Sequence, residues 1–192
     1  MHNFYHRLWY YCSVGLINLL VFTLFYAVNS RPPVLASAQS INQSGVAPQA
    51  FQLKQGTPNR LIIPSLNLAV PVETGAYRPA NDSWTLDEQH AFYAEASTPA
   101  NNKRGSTLIY GHRLPAIFEK LPSLQQNDTA IVYTDNGYKF YYSYVYREEV
   151  DPTDTSIFSS YGKPILTLQT CSGSWDQLRA LYSFKLQSVE KP

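Results

Sequence analysis

The chain has 192 residues and a formal net charge of +1. This near balance of charge argues against a nucleic-acid-binding protein, because surfaces that follow phosphates need a clear excess of basic residues. The length allows one domain of ordinary size and an additional segment. Fifteen tyrosines and a single methionine favour a β-rich domain, since aromatic side chains suit pleated, half-buried surfaces.

The first feature along the chain is an uncharged stretch over residues 8–28. At about 1.5 Å per residue, a helix of this length spans roughly 30 Å, the thickness of a bilayer core. Trp9 and Tyr26 lie near its ends, as in an aromatic belt. We therefore predict a transmembrane anchor. A cleaved signal peptide is the main alternative, because the sequence VLASA ending at Ala38 resembles a cleavage site; a buried core helix is another.

Residues 29–56 have the composition of a flexible linker, with three prolines, several serines and glutamines, and two charged side chains. We predict that the folded domain covers residues 57–192. Positive charge comes from Arg7 and the amino terminus before the span and from Arg31 after it. This distribution slightly favours a cytoplasmic N-terminus. The domain would then lie on the extracytoplasmic side of a cell membrane, held by a single span.

From residue 57 onward, alternating apolar residues and turn residues predict short strands. The fold class is mainly β: a closed or nearly closed mixed barrel of seven or eight strands with one or two short helices, preceded by the transmembrane helix. An Asn136-Gly137 pair between two alternating runs predicts a two-residue hairpin. The predicted strands are 59–64, 68–72, 106–112, 129–150 (the hairpin), 164–170 and 179–187; a short helix is predicted at 114–124 and a helical turn near 87–91.

The sequence has two cysteines, Cys12 and Cys171. Cys12 lies inside the predicted span, and a disulfide needs Cα atoms within about 7 Å, so we do not expect the two to pair. An exported domain with one unpaired thiol carries a candidate reactive group. The alternative is a buried cysteine that acts as a small hydrophobic residue.

Three residue types needed for cysteine catalysis stand at strand ends. Cys171 ends one predicted strand, His112 ends another, and Arg179 begins the strand after Cys171. If the first two strands are parallel neighbours, all three side chains meet at one edge of the sheet. Alternatives remain: His112 as a surface or capping residue, with His90 as the reserve candidate, and Arg179 paired with Asp176 across the loop.

The segments around these residues resemble the sortase family. TLQTC at Thr167–Cys171 matches the TLxTC signature, and YGHR at Tyr110–Arg113 resembles the sortase histidine motif. The stretches 60–75 and 150–158 resemble the opening strands and the start of the loop before the cysteine strand. The resemblance covers roughly residues 58–188, and GHR with CSGSWD looks closest to sortase classes D and E.

The resemblance implies that Cys171 is the nucleophile, His112 the general acid and base, and Arg179 the donor to the oxyanion or substrate carbonyl. Thr170 and Leu168, just before the cysteine, become candidate substrate contacts. The implied reaction is transpeptidation at a Thr-Gly-like bond in the sorting signal of an exported protein. A thioacyl enzyme forms and passes the protein to an amine of the cell wall or of a pilin.

No metal or organic cofactor is implied, because the thioester stores the acyl energy. The acidic residues Glu148, Glu149, Asp151 and Asp154 are interpreted as a solvated surface rather than a calcium site. A cysteine hydrolase of exported peptides and a non-catalytic, membrane-tethered β-barrel binding module remain as alternative functions. A purely structural surface protein is a third.

Overall fold

The computed structural model describes residues 51–78, 83–159 and 162–192. In this part the chain forms twelve strands and a few 3-10 turns, and no α-helix. The strands are β1 Gln55–Gly56, β2 Pro58–Ile63, β3 Leu68–Gly75, β4 Tyr77–Arg78, β5 Ser83–Trp84, β6 Ala91–Ala94, β7 Ala100–Asn101, β8 Ser106–Tyr110, β9 Thr129–Thr134, β10 Lys139–Val150, β11 Ile165–Ser172 and β12 Leu178–Glu190. The 3-10 turns are Pro64–Leu66, Leu121–Ser123, Ser156–Ser159 and Ser174–Asp176.

Eight of these strands close into a barrel in the order β10-β12-β11-β8-β6-β3-β2-β9. The β11–β8 and β3–β6 pairs are parallel, and the other barrel pairs are antiparallel. The prediction of a mainly β, closed mixed barrel is therefore confirmed. Two short ladders, β1–β7 and β4–β5, lie outside the barrel order.

Alternate residues of the barrel strands fill its interior. In β11, for example, Leu166 and Leu168 are fully buried and belong to this interior cluster. Successive side chains of a strand point to opposite faces, so the residues that alternate with them, such as Gln169 and Cys171, face outward. The largest fully buried interior side chains include Leu61, Ile63, Ile109, Ile117, Phe118, Leu121, Phe140, Tyr142, Leu166, Tyr182 and Phe184. Each leucine, isoleucine and phenylalanine of this set contributes about 1.5–3 kcal/mol through removal of apolar surface from water.

A second, smaller cluster covers the outer face of the barrel beside β8. It contains the buried residues Phe92, Leu108 and Tyr110, against which Trp84 and Phe158 pack. We call these five residues the outer cluster. Trp84 comes from the β4–β5 ladder and Phe158 from the segment before β11. The β4–β5 ladder and the segment before β11 therefore contact each other on this side of the barrel.

Two predicted helical segments differ from the observed structure. The segment 114–124 forms successive turns and a 3-10 turn at Leu121–Ser123 instead of an α-helix. Pro122 lacks the N–H that a continuing helix would need. Near Asp87 the chain forms an Asx-type turn, in which Asp87 Oδ1 accepts the backbone N–H groups of Gln89 and His90. Strand β6, which the sequence did not predict, begins one residue later.

The predicted hairpin at Asn136-Gly137 is present, with a longer loop than expected. Thr134 donates its backbone N–H to the Tyr138 carbonyl, and Gly137 donates to the Thr134 carbonyl. Three residues therefore separate the last paired positions. Gly137 has a φ of 86°, the left-handed conformation that ends such three-residue loops.

The predicted anchor at residues 8–28 and the linker up to residue 50 lie outside the described residues. Within the three described ranges, no helix has the length and apolar character needed to cross a bilayer.

Candidate active site

The strands that carry His112 and Cys171 are parallel neighbours. In the β8–β11 register Tyr110 pairs with Gln169, and the Gly111 N–H extends the ladder by donating to the Gln169 carbonyl at 3.1 Å. His112 and Cys171 each follow the Tyr110–Gln169 pair by two residues. Because the strands run in the same direction, both residues lie at one rim of the barrel.

Arg179 reaches the same rim through a tight return of the chain. Strands β11 and β12 are antiparallel, and their register pairs Cys171 directly with Arg179. Neighbouring strands lie about 4.8 Å apart, so the histidine, cysteine and arginine occupy adjacent strands within a short lateral distance. The expectation that the three positions meet at one edge is confirmed for the backbone of these strands.

The side chains of this row point out of the barrel. Gly111 faces inward, since a Cβ there would lie 2.9 Å from Ile117 Cγ2. Thr170 is 3% exposed and also faces inward. By alternation, His112 and Cys171 face outward, and both are half-buried. The thiol is therefore not sealed in the core. The alternative of an inert cysteine would require it to be buried there.

The predicted substrate contacts, Thr170 and Leu168, lie on the inward face of β11. Leu168 is fully buried in the interior cluster, and Thr170 is buried on the same side of β11. The intervening residue, Gln169, faces outward and lines the groove described below. The sequence contained the needed signal, because a strand with Cys171 facing outward must also have Gln169 facing outward.

Arg179 and Asp176 both stabilise the turn between β11 and β12. The Nη1 of Arg179 donates to the backbone carbonyls of Asp176 at 2.9 Å and Leu178 at 3.0 Å. The Asp176 carboxylate instead lies 3.6 Å from Arg113 Nη2. Asp176 therefore orients the turn and does not form a third member of a catalytic triad with the histidine.

The same turn contains unusual backbone conformations. Gly173, Trp175 and Asp176 have φ values of 77°, 63° and 56°. Left-handed conformations cost L-residues roughly 1–2 kcal/mol each, and such conformations concentrate at functional sites. Trp175 is also 99% exposed. The sequence analysis assigned no role to this tryptophan, since neither its backbone conformation nor its exposure follows from a residue pattern.

A groove of about 650 Å³ runs over the outer face toward Arg179. Its floor is formed by Leu108, Tyr110 and Gln169, from the strands that precede His112 and Cys171. Tyr77, Trp84 and Phe158 supply an aromatic wall, and the segment 150–155 supplies a more polar one. Because Arg179 lines the groove and pairs with Cys171 across the sheet, the groove leads to the rim that carries the thiol.

Tyr110 gives the floor of the groove a neutral, aromatic surface. Burial raises the pKa of Tyr110 to about 12, so its hydroxyl stays protonated at physiological pH. The ring packs edge-on against Trp84, with centroids 5.2 Å apart, and stacks against Phe92 at 5.9 Å. The hydroxyl lies over Gly75, where any Cβ would collide with it. Gly75 therefore allows Tyr110 to stay flat against the barrel.

The polar wall carries a negative charge opposite the arginine. Hydrogen bonds from the side chain and the backbone of Thr153 lower the pKa of Asp151, and Arg179 lowers it further. Asp154 similarly accepts the Ser156 N–H, which lowers its pKa. Within the described ranges, no three His, Cys, Asp or Glu side chains are grouped closely enough to hold a metal ion.

Comparisons with known proteins agree with this geometry. The sortase domain model matches residues 61–184 of the chain. Sortase A from Listeria monocytogenes aligns with a TM-score of 0.58 at 19% identity, over 72% of this chain and 92% of that one. Sortase C1 from Streptococcus agalactiae aligns with a TM-score of 0.56 at 20% identity, over 67% and 66% of the two chains.

Sortase E1 from Streptomyces coelicolor, solved with a tripeptide in the active site, aligns with a TM-score of 0.55 at 21% identity, over 71% and 90%. At these identities the structural likeness shows a shared fold. No curated protein matches the chain in sequence. The barrel carries a cysteine, a histidine and an arginine at one rim, the residue types that a cysteine transpeptidase uses. The chain belongs to the sortase family, as its TLQTC and YGHR motifs predicted.

Proposed function

We propose that this sortase cleaves a Thr-Gly-like bond in the sorting signal of an exported protein and transfers that protein to an amine of the cell wall or of a pilin. The observation that supports this most directly is the groove, which leads along the outer face to Arg179 and the strand position of Cys171. Its aromatic wall suits apolar side chains of an extended peptide. Its floor offers the side-chain amide of Gln169 for hydrogen bonds with the peptide.

In the first half of the reaction, the Cys171 thiolate attacks the threonine carbonyl carbon and forms a C–S bond. Arg179 stabilises the negative charge that develops on the carbonyl oxygen. The C–N bond then breaks, and His112 donates a proton to the departing amine. A thioester between the substrate and Cys171 remains.

In the second half, the acceptor amine attacks the thioester carbonyl, and a new C–N bond replaces the C–S bond. His112 takes the proton that the amine loses, and the thiolate of Cys171 is regenerated. The protons given and taken balance, so His112 returns to its starting state. Asp151 lies near enough to Arg179 to interact with it electrostatically, and would keep the guanidinium oriented toward the groove.

The remaining parts of the proposal concern location. Residues 8–28 would anchor the enzyme in the cell membrane by a single span, with the catalytic domain on the extracytoplasmic side. What supports this is the uncharged apolar stretch followed by a linker composition. Sequencing the N-terminus of the mature protein tests it. A chain that begins near Ser30–Gln39 would show a cleaved signal peptide instead.

The central experiment is mass spectrometry of the full-length enzyme mixed with a panel of fluorogenic sorting peptides and an amine acceptor. We expect a thioacyl adduct on the peptide that contains Cys171, and an amine-linked product. Cys171→Ala should lose both while keeping the thermal unfolding profile. Turnover retained in that variant would falsify the nucleophile assignment.

The same reactions separate the transpeptidase from a cysteine hydrolase. A transpeptidase gives the amine adduct as the main product when the acceptor is abundant. A hydrolase gives the free acid at every acceptor concentration. The binding-module alternative predicts neither product, and peptide binding that survives alkylation of Cys171.

A further inference from the structure

The first described residues lie at the end of the barrel opposite the catalytic rim. Strand β10 runs from its start at Lys139 to the rim, where Val150 pairs with Arg179. The β9–β10 hairpin, which precedes Lys139, therefore lies at the other end. In this hairpin, Asn136 donates a side-chain N–H to the Gln55 carbonyl at 2.8 Å. The segment that leads into β2 is thus fixed at this other end.

Several chain segments meet at the same end. Strands β8 and β11 run toward the rim, so the segments before them lie at the opposite end. Gly105, before β8, donates its N–H to the Gly162 carbonyl, before β11, at 3.1 Å. Asn102 Oδ1 accepts the Lys54 backbone N–H at 2.9 Å, and Lys54 Nζ donates to the Val189 carbonyl at 3.3 Å. We call this the basal end, formed by the segments 51–58, 95–106, 134–139, 162–165 and 188–192.

Positive charge dominates the basal end. Its segments contain six cationic side chains and three carboxylates, a side-chain charge of +3. One of these carboxylates is already paired, since Glu190 lies 3.0 Å from Lys139 Nζ. The basic side chains of this end that are exposed and form no ion pair with any described residue are Lys103, Arg104, Lys163 and Lys191.

The catalytic rim carries the opposite charge. The segments that form it are 64–68, 86–91, 111–129, 148–156 and 172–179. They contain nine carboxylates and three cationic side chains, a side-chain charge of −6 with neutral histidines. The barrel is therefore polarised along its axis. An anionic surface attracts the basal end and repels the rim.

Two exposed apolar side chains stand next to the basic residues. Phe51 is 63% exposed and Leu53 is 48% exposed, and both directly precede Lys54. Basic residues beside exposed phenylalanine and leucine are typical of surfaces that bind anionic bilayers. The headgroups attract the charge, and the boundary of the acyl chains accepts the apolar side chains. A soluble polyanion would match the charge alone, so the combination favours a bilayer.

We propose that the basal end is a docking surface for anionic phospholipid headgroups, so that the catalytic rim faces away from the bilayer. This inference rests on the proposed membrane location and not on the transpeptidation chemistry. The predicted span ends at residue 28, and 22 residues separate it from Phe51. A linker of this length has a root-mean-square reach of roughly 25 Å, which keeps the basal end near the headgroups. From Glu190 to Arg179, β12 extends roughly 35 Å, which holds the rim toward the cell-wall acceptor.

Lysine acetylation in lipid nanodiscs tests this orientation. The full-length enzyme would be reconstituted in nanodiscs of phosphatidylcholine, either alone or mixed equally with phosphatidylglycerol. A neutral acetylating reagent labels accessible lysines, and peptide mass spectrometry gives the rate at each one. Lys103 and Lys163 report on the basal end, and the exposed Lys120 reports on the rim.

We expect phosphatidylglycerol to slow the acetylation of Lys103 and Lys163 by about fivefold, the gain for one basic side chain near an anionic surface. Lys120 should react at the same rate in both lipids, and high salt should remove the protection. Unchanged rates at Lys103 and Lys163, or protection of Lys120 instead, would overturn the proposal.

Two variants with the same charge change at opposite ends sharpen the test. Arg104→Glu should reduce the protection of Lys103 and Lys163 by about fivefold, whereas Lys120→Glu should leave it intact. Phe51→Ser should also reduce the protection, because it removes an apolar contact with the bilayer. A loss of protection that is as large in Lys120→Glu as in Arg104→Glu would show that net charge, and not the basal end, governs binding.

Soluble polyphosphate distinguishes a bilayer from other polyanions. Protection of the same lysines by polyphosphate but not by phosphatidylglycerol would contradict the proposal. The proposed location fails separately, if the full-length chain does not insert into either nanodisc. Acetylation of the free protein with added phosphatidylglycerol vesicles would then still decide whether the basal end binds lipid. None of these measurements depends on the activity of Cys171.

Discussion

The two faces of β11 carry different properties of this enzyme. The inward face presents Leu166 and Leu168, which are fully buried among apolar side chains. The outward face presents Gln169 and Cys171, which are both half-buried, and Gln169 lines the groove. Alternation along one strand thus separates the residues that stabilise the barrel from those available for chemistry. The comparison implies that substitutions one residue apart should affect different measurements.

After the loss of the nucleophile Cys171, the largest expected effect on activity is at His112, which follows the outward face of β8. His112→Ala should lower kcat/KM for amine transfer by roughly 10²–10⁴-fold, the contribution of a positioned acid and base. The melting temperature should stay within a few degrees, because the imidazole makes no hydrogen bond or ion pair within the described ranges. Near-normal turnover would instead assign the proton transfer to another group, with His90 as the reserve candidate.

The inward face should give the opposite result. Leu168→Ala removes a fully buried side chain from the interior cluster and should lower the free energy of unfolding by about 2–5 kcal/mol. Chemical denaturation measures this loss. The activity of the fraction that remains folded should stay near that of the original enzyme. A large loss of kcat at full folding would mean that the two faces are not independent.

The sequence could predict those parts of the two-faced β11 strand that depend on local interactions. The alternation in residues 164–170 predicted the strand, and the motif marked Cys171 as the candidate nucleophile, but whether the thiol was exposed or buried stayed open. The parallel pairing of β8 with β11 was only a condition in that prediction, because strand pairing depends on contacts 61 residues apart, such as that between Ser106 and Thr167.

The groove was not predictable in the same way. Trp84 and Phe158 reach the outer cluster from two separate loops, and no periodic pattern connects them. A helical turn was predicted near residues 87–91, whereas here the Asp87 side-chain oxygen closes an Asx turn. The motif also could not show whether Leu168 or Gln169 lines the groove, because it does not say which face of the strand points outward.

A smaller effect is expected where the groove is built from loops. Phe158 lines the groove and packs near-parallel to Trp84, with ring centroids 6.2 Å apart. Phe158→Ala should raise KM for a sorting peptide by about tenfold with a modest change in kcat, since one buried aromatic contact is worth about 1–2 kcal/mol. Phe51→Ala removes an equally large but exposed ring and is the control. Equal effects in both variants would show that the groove does not hold the peptide.

The smallest effect is expected from replacing two glycines that have similar φ angles but lie in different turns. Gly137 in the β9–β10 hairpin has a φ of 86°, and Gly173 in the turn after Cys171 has a φ of 77°. Replacing either by alanine should cost roughly 1–2 kcal/mol of stability, because an L-residue resists this conformation. Alanine at Gly137 approaches only the terminal Pro192, at 2.9 Å, whereas alanine at Gly173 meets Gln177 and Leu178 beside Arg179.

Thermal melting should therefore detect both changes, while kcat should fall only for Gly173→Ala. The reason is that the Arg179 guanidinium bonds to the carbonyls of this turn, so a shifted turn moves the proposed oxyanion donor. An unchanged kcat in a folded Gly173→Ala enzyme would mean that Arg179 tolerates movement of the turn. Its position would then be set by β12 and by the charge of Asp151 across the groove.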